Sequence, residues 1–171
     1  MTVASPTQIT TRSGVTLAVR QATPEDEARL TAFFDRVSDE DRRFRFLSAG
    51  EHVSHQQLDP LIHADHYKSE SFLAFDQANG ELVASALLAC DAQLDTGEVA
   101  ISIRKDYRGK GVGWAMLDFL GSEAQARGVR RIIAIESREN HAAIELEREK
   151  GFTPEAYDDD PGVVILSKTF R

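Results

Sequence analysis

The sequence predicts a single α/β (α+β) domain, a mixed, mostly antiparallel twisted sheet flanked by helices, and three observations predict it. Two hairpin signals stand in the middle of the chain, at Asn79-Gly80 and around Asp95-Thr96-Gly97. After them the apolar period switches repeatedly between 2 and 3.6, giving strand, helix, strand, helix, strand. The length of 171 residues, with 42% apolar and 28% charged residues, suits one domain with its own core and is short for two.

Residues 1–13 are polar and without period, so a flexible lead-in is expected there, with the folded domain over 14–171. Val15, Leu17 and Val19 alternate with Thr16, Ala18 and Arg20 as in a half-buried strand. Thr23-Pro24 followed by Glu25, Asp26 and Glu27 reads as a helix start, with Leu30, Phe33, Phe34 and Val37 on its apolar face. Ser38 to Asp41 resembles a second helix start, and Leu58 to His66 a third short helix. Phe72 to Phe75 and Leu82 to Ala89 flank Asn79-Gly80, which predicts a hairpin with a type I′ turn. The outgoing strand of the second hairpin is Glu98 to Arg104. Gly113 to Arg127 reads as a helix closed by Gly128, and Arg130 to Ile135 as a strand. Asn140 opens the last helix, Gly151 ends it, and Val163 to Phe170 is the final strand.

The bulk numbers narrow the function. The formal charge of -8 repels a phosphate backbone, so nucleic acid is not expected as a partner, while a cationic substrate would be attracted. No apolar run reaches the roughly 20 residues of a membrane helix, and the start of the chain lacks the pattern of a signal peptide, so no membrane association and a cytoplasmic location are expected. The single cysteine, Cys90, suits a reducing compartment and reads as a small core residue rather than a nucleophile. His52/His55 and His63/His66 have a spacing that presents two ligands on one helix face, but no third ligand accompanies either pair, and no metal is expected. His63, Asp65 and His66 are candidates for the border of an acceptor pocket. The run Asp158 to Asp160 reads as a solvated turn, and Phe33, Phe34, Phe44, Phe46 and Phe119 read as core.

The chemistry is concentrated in Arg108-Gly109-Lys110-Gly111-Val112-Gly113, between a strand and a helix. Glycines let backbone approach a ligand, and amides gathered at a helix N-terminus bind anions such as a diphosphate. A P-loop is excluded because no Gly-Lys-Ser or Gly-Lys-Thr exists. A dinucleotide fold remains as an alternative, with Glu136 at a suitable distance, although Met116 stands where its third small residue belongs.

Tyr107 to Gly113 resembles the R/Q-x-x-G-x-G/A signature of the GNAT acetyltransferase superfamily, and Asn140 followed by Lys150-Gly151-Phe152 resembles that superfamily's downstream Asn and Gly-Phe. From about Val15 to Phe170 the chain is similar to the GNAT domain of bacterial Pat-type protein-lysine acetyltransferases. The matching stretches are Arg36 to Glu40, Arg42 to Phe46, Ile62 to His66 and Glu98 to Ala100. The resemblance implies a splayed central strand pair with acetyl-CoA in the gap. It implies cofactor contacts at Ile101, Ser102, Ile103, Arg108, Gly109, Lys110, Gly111, Val112, Gly113, Trp114 and Asn140. It implies an amine acceptor, either a protein lysine or a small molecule. The position at which many members carry a tyrosine acid is Glu147 here.

Attack on a thioester requires a neutral amine, whereas an amine of pKa near 10.4 is neutral in only about one molecule in several thousand at pH 7. Glu98 is the candidate general base, on the face of its strand shared with Ala100 and Ser102, and the resemblance points to the same residue. An amide of Ile101 or Ile103 is the candidate for stabilising the carbonyl oxygen. Two rival readings stay open: an acyl-CoA-binding regulatory module without turnover, and an oxidoreductase subunit. A homodimer is compatible with the sequence.

Overall fold

The structure is a computed structural model and describes residues 6–46, 52–156 and 160–170. Its strands are β1 (Thr7–Thr10), β2 (Thr16–Gln21), β3 (Ser69–Asp76), β4 (Leu82–Cys90), β5 (Thr96–Ile103), β6 (Arg131–Ser137), β7 (Thr153–Ala156) and β8 (Val163–Thr169). Its helices are α1 (Glu27–Asp35), α2 (Asp39–Phe46), α3 (His55–Ile62), α4 (Val112–Ala126) and α5 (His141–Glu149). One sheet runs β1-β2-β3-β4-β5-β6-β8-β7. Every neighbouring pair is antiparallel except β5 and β6. This is the mixed, mostly antiparallel sheet that the sequence predicts.

Apolar residues cover both faces of the sheet. On one, Met116, Leu117 and Leu120 of α4 pack with Leu17, Val19, Ala86 and Ile132 from the strands. On the other, Leu30, Phe33 and Phe34 of α1 pack with Leu58, Leu61 and Ile62 of α3 and with Leu73. Each strand of the middle therefore buries both alternating sets of side chains, which is why β3 and β4 read as nearly continuous apolar runs. Next to the second core, Asp26 is buried. Burial alone would raise its pKa, but Arg20 bonds it at 2.8 and 2.9 Å and the Thr23 N–H at 2.8 Å, and together these hold the carboxyl well below the usual range.

The lead-in expected over 1–13 departs from the structure. Thr7–Thr10 pair with Thr16–Val19 as an edge strand, whereas residues 1–5 lie outside the described part of the chain. Thr and Gln carry no apolar period because an edge strand needs little burial. The first hairpin also differs. Gly80 has φ +74° but Asn79 does not take a positive φ, so the type I′ turn does not form. Instead the Asp76 carboxylate accepts the Ala78 N–H at 2.9 Å, and the Gly80 N–H donates to the Asp76 carbonyl at 2.7 Å, which makes a longer loop. The second turn falls at Asp91 to Asp95, where Asp91 accepts the Asp95 N–H at 2.8 Å, and Thr96 and Gly97 already belong to β5. The third helix starts earlier than expected, because Ser54 caps it by accepting the Gln57 N–H at 3.2 Å, and it ends before His63. Strand β7 was not anticipated. Its Pro154 masks the strand period and is tolerated because β7 is at the sheet edge.

The segment after β5 is fixed from below. The Arg104 N–H donates to the Val83 carbonyl and the Lys105 N–H to the Arg36 carbonyl, both at 2.9 Å. Buried Arg104 pairs with Asp106 at 2.7 Å and Glu81 at 3.0 Å. The Tyr107 hydroxyl donates to Asp76 at 2.6 Å and accepts from the Asn79 amide at 3.1 Å. These bonds tie the root of the glycine loop to the β3–β4 turn. Tyr107→Phe is expected to cost about 1 to 2 kcal/mol, measured by urea unfolding, since a buried carboxylate loses its donor.

Candidate active site

The site originates where one pair of strands comes apart. β5 and β6 are in register only at Thr96↔Arg131, Gly97↔Ile132 and Glu98↔Ile133. Beyond Glu98, β5 stays paired with β4 up to Ala84↔Ile103, while β6 pairs with β8 up to Ser137↔Val163. The stretch Ala100 to Ile103 thus has a partner on one side only. Because Arg104 bonds Val83 across the β4–β5 ladder, antiparallel alternation directs the backbone groups of Ser102, Ala100 and Glu98 to β4. Those of Val99, Ile101 and Ile103 point the other way: the Val99 N–H completes the last pair with Ile133, and the groups of Ile101 and Ile103 face the gap. This is the splay that the resemblance implies.

A cavity of about 610 Å³ occupies the gap. Its walls include the predicted residues Glu98, Ile101, Ser102 and Ile103 from β5. From the loop and α4 they include Arg108, Gly109, Gly111, Val112, Gly113 and Trp114, and from the start of α5, Asn140. Lys110, also predicted, is not in the lining; its carbonyl accepts a hydrogen bond from the Ser13 hydroxyl instead.

The loop has the geometry of an anion site. Gly109 and Gly111 take φ +75° and +80°, the left-handed region that glycine enters without a Cβ clash. Helix α4 has no side-chain cap. Among the described residues, the amides of Gly109, Lys110, Gly111, Val112, Gly113 and Trp114 make no hydrogen bond, and the first intrahelical bond is from Ala115 to Gly111 at 3.1 Å. At Gly113 α4 also comes close to β5 and α5, since a Cβ there would stand 3.1 Å from Ile103 Cδ1 and 3.2 Å from Leu146 Cδ2. Six unpaired donors next to a positive helix end form a site for a diphosphate. The residues present therefore fit the phosphates of a CoA. The Ser102 hydroxyl, buried without a hydrogen-bond partner, adds a further polar group at the cavity.

The other end of the cavity is ionisable. Glu98 sits at the last position where β5 pairs with β6, and burial raises its pKa against the opposing charge of Arg45. Arg45, on α2, lines the same cavity, and desolvation lowers its pKa while Glu98 and Glu136 raise it. Glu136 of β6 is raised mainly by burial, and Asn140 donates to it at 3.3 Å. Glu147 of α5 is 7% exposed, and one of its oxygens is buried without a partner. Burial, then a hydrogen bond to Glu136 and that carboxylate's charge, push Glu147 up to about 10. Burial and the neighbouring carboxylate thus favour the protonated form of Glu147 beside Glu136.

Asn140 has a structural task as well, because its side chain caps α5 by accepting the Ala143 N–H at 3.4 Å. His63, Asp65 and His66 do not border the cavity. Asp65 accepts from Tyr67, Lys68 and Ser69, and His66 pairs with Glu70. Phe44, expected in the core, lines the cavity. Cys90 is half-buried against the first core, where burial raises its pKa. Among the described residues no group of three or more His, Cys, Asp or Glu side chains is placed to hold a metal ion. No helix among them is long and apolar enough to cross a membrane.

Arg12 and Arg45 are not marked as site residues in the sequence, Glu136 enters there only with the dinucleotide alternative, and Glu147 only as the position of the absent tyrosine. No local spacing marks them, since they come from the β1–β2 turn, α2, β6 and α5. The dinucleotide alternative fails on topology: the glycine loop follows a strand that is antiparallel to β4 and parallel only to β6.

Comparison with known proteins agrees with this geometry. The description "Acetyltransferase (GNAT) family" matches residues 27–152. An acetyltransferase from Pseudomonas aeruginosa is 31% identical over 149 residues, which are 86% of this chain and 80% of that protein. The crystal structure of the GNAT domain of S. lividans PAT superposes with a TM-score of 0.87 at 27% identity, covering 96% of this chain and 97% of that one. Spermidine N-acetyltransferase from Vibrio cholerae, solved in complex with CoA and spermine, shares the fold with a TM-score of 0.72 at 17% identity, covering 90% and 95%. The split between β5 and β6, the glycine turn at its mouth and these likenesses converge on one statement: the chain is an acetyltransferase that belongs to the GNAT family.

Proposed function

We propose that the protein transfers an acetyl group from acetyl-CoA to an amine, a protein lysine or a small molecule, by direct attack with Glu98 as general base. The observation that carries this reading is the placement of six unpaired amides, Gly109 to Trp114, at one end of the β5–β6 gap and of Glu98 at the other. Acetyl-CoA, when bound, supplies the acyl group in activated form as a thioester. The loop amides and the end of α4 hold its diphosphate without a metal. The free N–H groups of Ile101 and Ile103 bind the arm along β5, and one of them faces the oxygen on which negative charge develops. Glu98 takes the proton from the attacking nitrogen.

The fold shared with the CoA and spermine complex, and the likeness to the GNAT domain of S. lividans PAT, support an amine as acceptor. The test is thiol release from acetyl-CoA against a panel of polyamines, amino acids and lysine-containing proteins, with mass spectrometry of the products. A mass gain of one acetyl group on a nitrogen, matched by one free thiol, is the expected result. Tight acetyl-CoA binding with no thiol release for any acceptor would overturn it.

A further inference from the structure

The turn between β1 and β2 reaches into the phosphate end of the cavity. It is a tight turn, closed by the Thr11 N–H to the Val15 carbonyl at 2.8 Å and the Gly14 N–H to the Thr11 carbonyl at 3.0 Å. It is packed on the glycine loop. A Cβ on Gly111 would stand 3.5 Å from the Arg12 nitrogen and 3.5 Å from Thr11 Cβ, and the Ser13 hydroxyl donates to the Lys110 carbonyl. Arg12 Cζ is 4.1 Å from the centroid of the Trp114 ring, on the first turn of α4. Lys150 Nζ is 3.8 Å from the same centroid, but that ammonium is paired with Asp118 at 2.6 Å.

Arg12 is different. It lines the cavity, and among the described residues it makes no hydrogen bond and no ion pair. In a chain with 28 acidic residues against 20 Lys and Arg, acidic partners are not scarce. A guanidinium stacked on an indole keeps its N–H edge free, and that edge matches two oxygens of one phosphate.

We propose that Arg12 binds a phosphate group of CoA, so that the N-terminal hairpin is part of the nucleotide site. The inference rests on the acetyl-CoA reading above and extends it to a residue outside the glycine signature. Two phosphates are chemically eligible, the diphosphate and the 3′-phosphate of the ribose. Trp114 is the single tryptophan of the chain, so its fluorescence reports on occupancy next to Arg12.

The experiment is calorimetry of the full chain and its Arg12→Gln variant with CoA and with 3′-dephospho-CoA. Arg12 is exposed and, its contact with the Trp114 ring aside, makes no hydrogen bond or ion pair among the described residues, so the variant should unfold close to the wild-type temperature. The expected result is that Arg12→Gln weakens CoA binding by about 10- to 100-fold, the usual effect of losing a charge-assisted bond, while Arg12→Lys recovers part of the loss. A loss confined to CoA assigns Arg12 to the 3′-phosphate, and an equal loss for both ligands assigns it to the diphosphate. Wild-type affinity of Arg12→Gln for both ligands would overturn the proposal and leave the acetyl-CoA reading intact. Failure of the wild-type chain to bind CoA at all would remove that reading, and this one with it.

Discussion

Glu98→Gln is expected to slow acetyl transfer by about 10²- to 10⁴-fold while leaving the Kd for acetyl-CoA within about twofold of wild type. The split effect follows from where the two tasks are placed. Affinity is assigned to the loop amides and the free edge of β5, which the substitution does not touch. Proton removal is assigned to one carboxylate, and Gln keeps its shape and polarity without its basicity. Burial holds the Glu98 pKa above its ordinary value of 4.5. A base acts in its deprotonated form, so wild-type kcat/KM should fall as pH drops through that raised pKa. The acidic limb should be absent in the Gln variant. Stopped-flow or thiol-release rates over pH 5 to 9, with calorimetry of acetyl-CoA binding, check both halves. An unchanged rate would remove Glu98 from the mechanism, and a large loss of affinity would show that it binds rather than catalyses.

The second large effect concerns stability. Glu147 is pushed up to about 10 in the folded protein, against an ordinary value of 4.5. Between those values the native state holds a proton that the unfolded chain releases. Stability from this group is therefore complete below about pH 4.5 and is lost progressively as pH rises toward 10. Glu147→Gln has no proton to take up, and its amide still donates to Glu136. It should raise stability by about 2 to 4 kcal/mol at pH 8 and by close to nothing at pH 4. Urea unfolding at the two pH values makes the comparison. A gain that is equal at both would mean that packing, rather than protonation, is responsible. The same pair bears on the cavity, because the Arg45 guanidinium acts on both Glu98 and Glu136 there.

Much of the cavity was legible from one short segment. Gly109 and Gly111 announce left-handed backbone, and a glycine turn between a strand and a helix has few other uses. Glu98 could be put on the face of Ala100 and Ser102 because period 2 assigns side chains to faces once the strand is recognised, whereas Ile101, Ser102 and Ile103 entered as cofactor contacts through the resemblance. The hairpin turns were harder. Asn79-Gly80 has the right residues for a type I′ turn, but the Asp76 side chain competes for the Ala78 amide and a longer loop results. The edge strands β1 and β7 were missed for a related reason, since Thr7–Thr10 and Thr153–Ala156 are short, and β7 is interrupted by Pro154.

By itself, the sequence determined most element types, the glycine turn between strand and helix, and the strand that carries Glu98, because each depends on residues adjacent in the chain. Only the tertiary structure decided that β5 and β6 part after Glu98, that Arg45, Glu136 and Glu147 meet at that parting, and that Arg12 stands beside Trp114. The physical reason is that strand divergence and charge proximity depend on groups far apart in the sequence. A carboxyl as such carries no sign of its proton until burial and the neighbouring Glu136 decide where that proton stays.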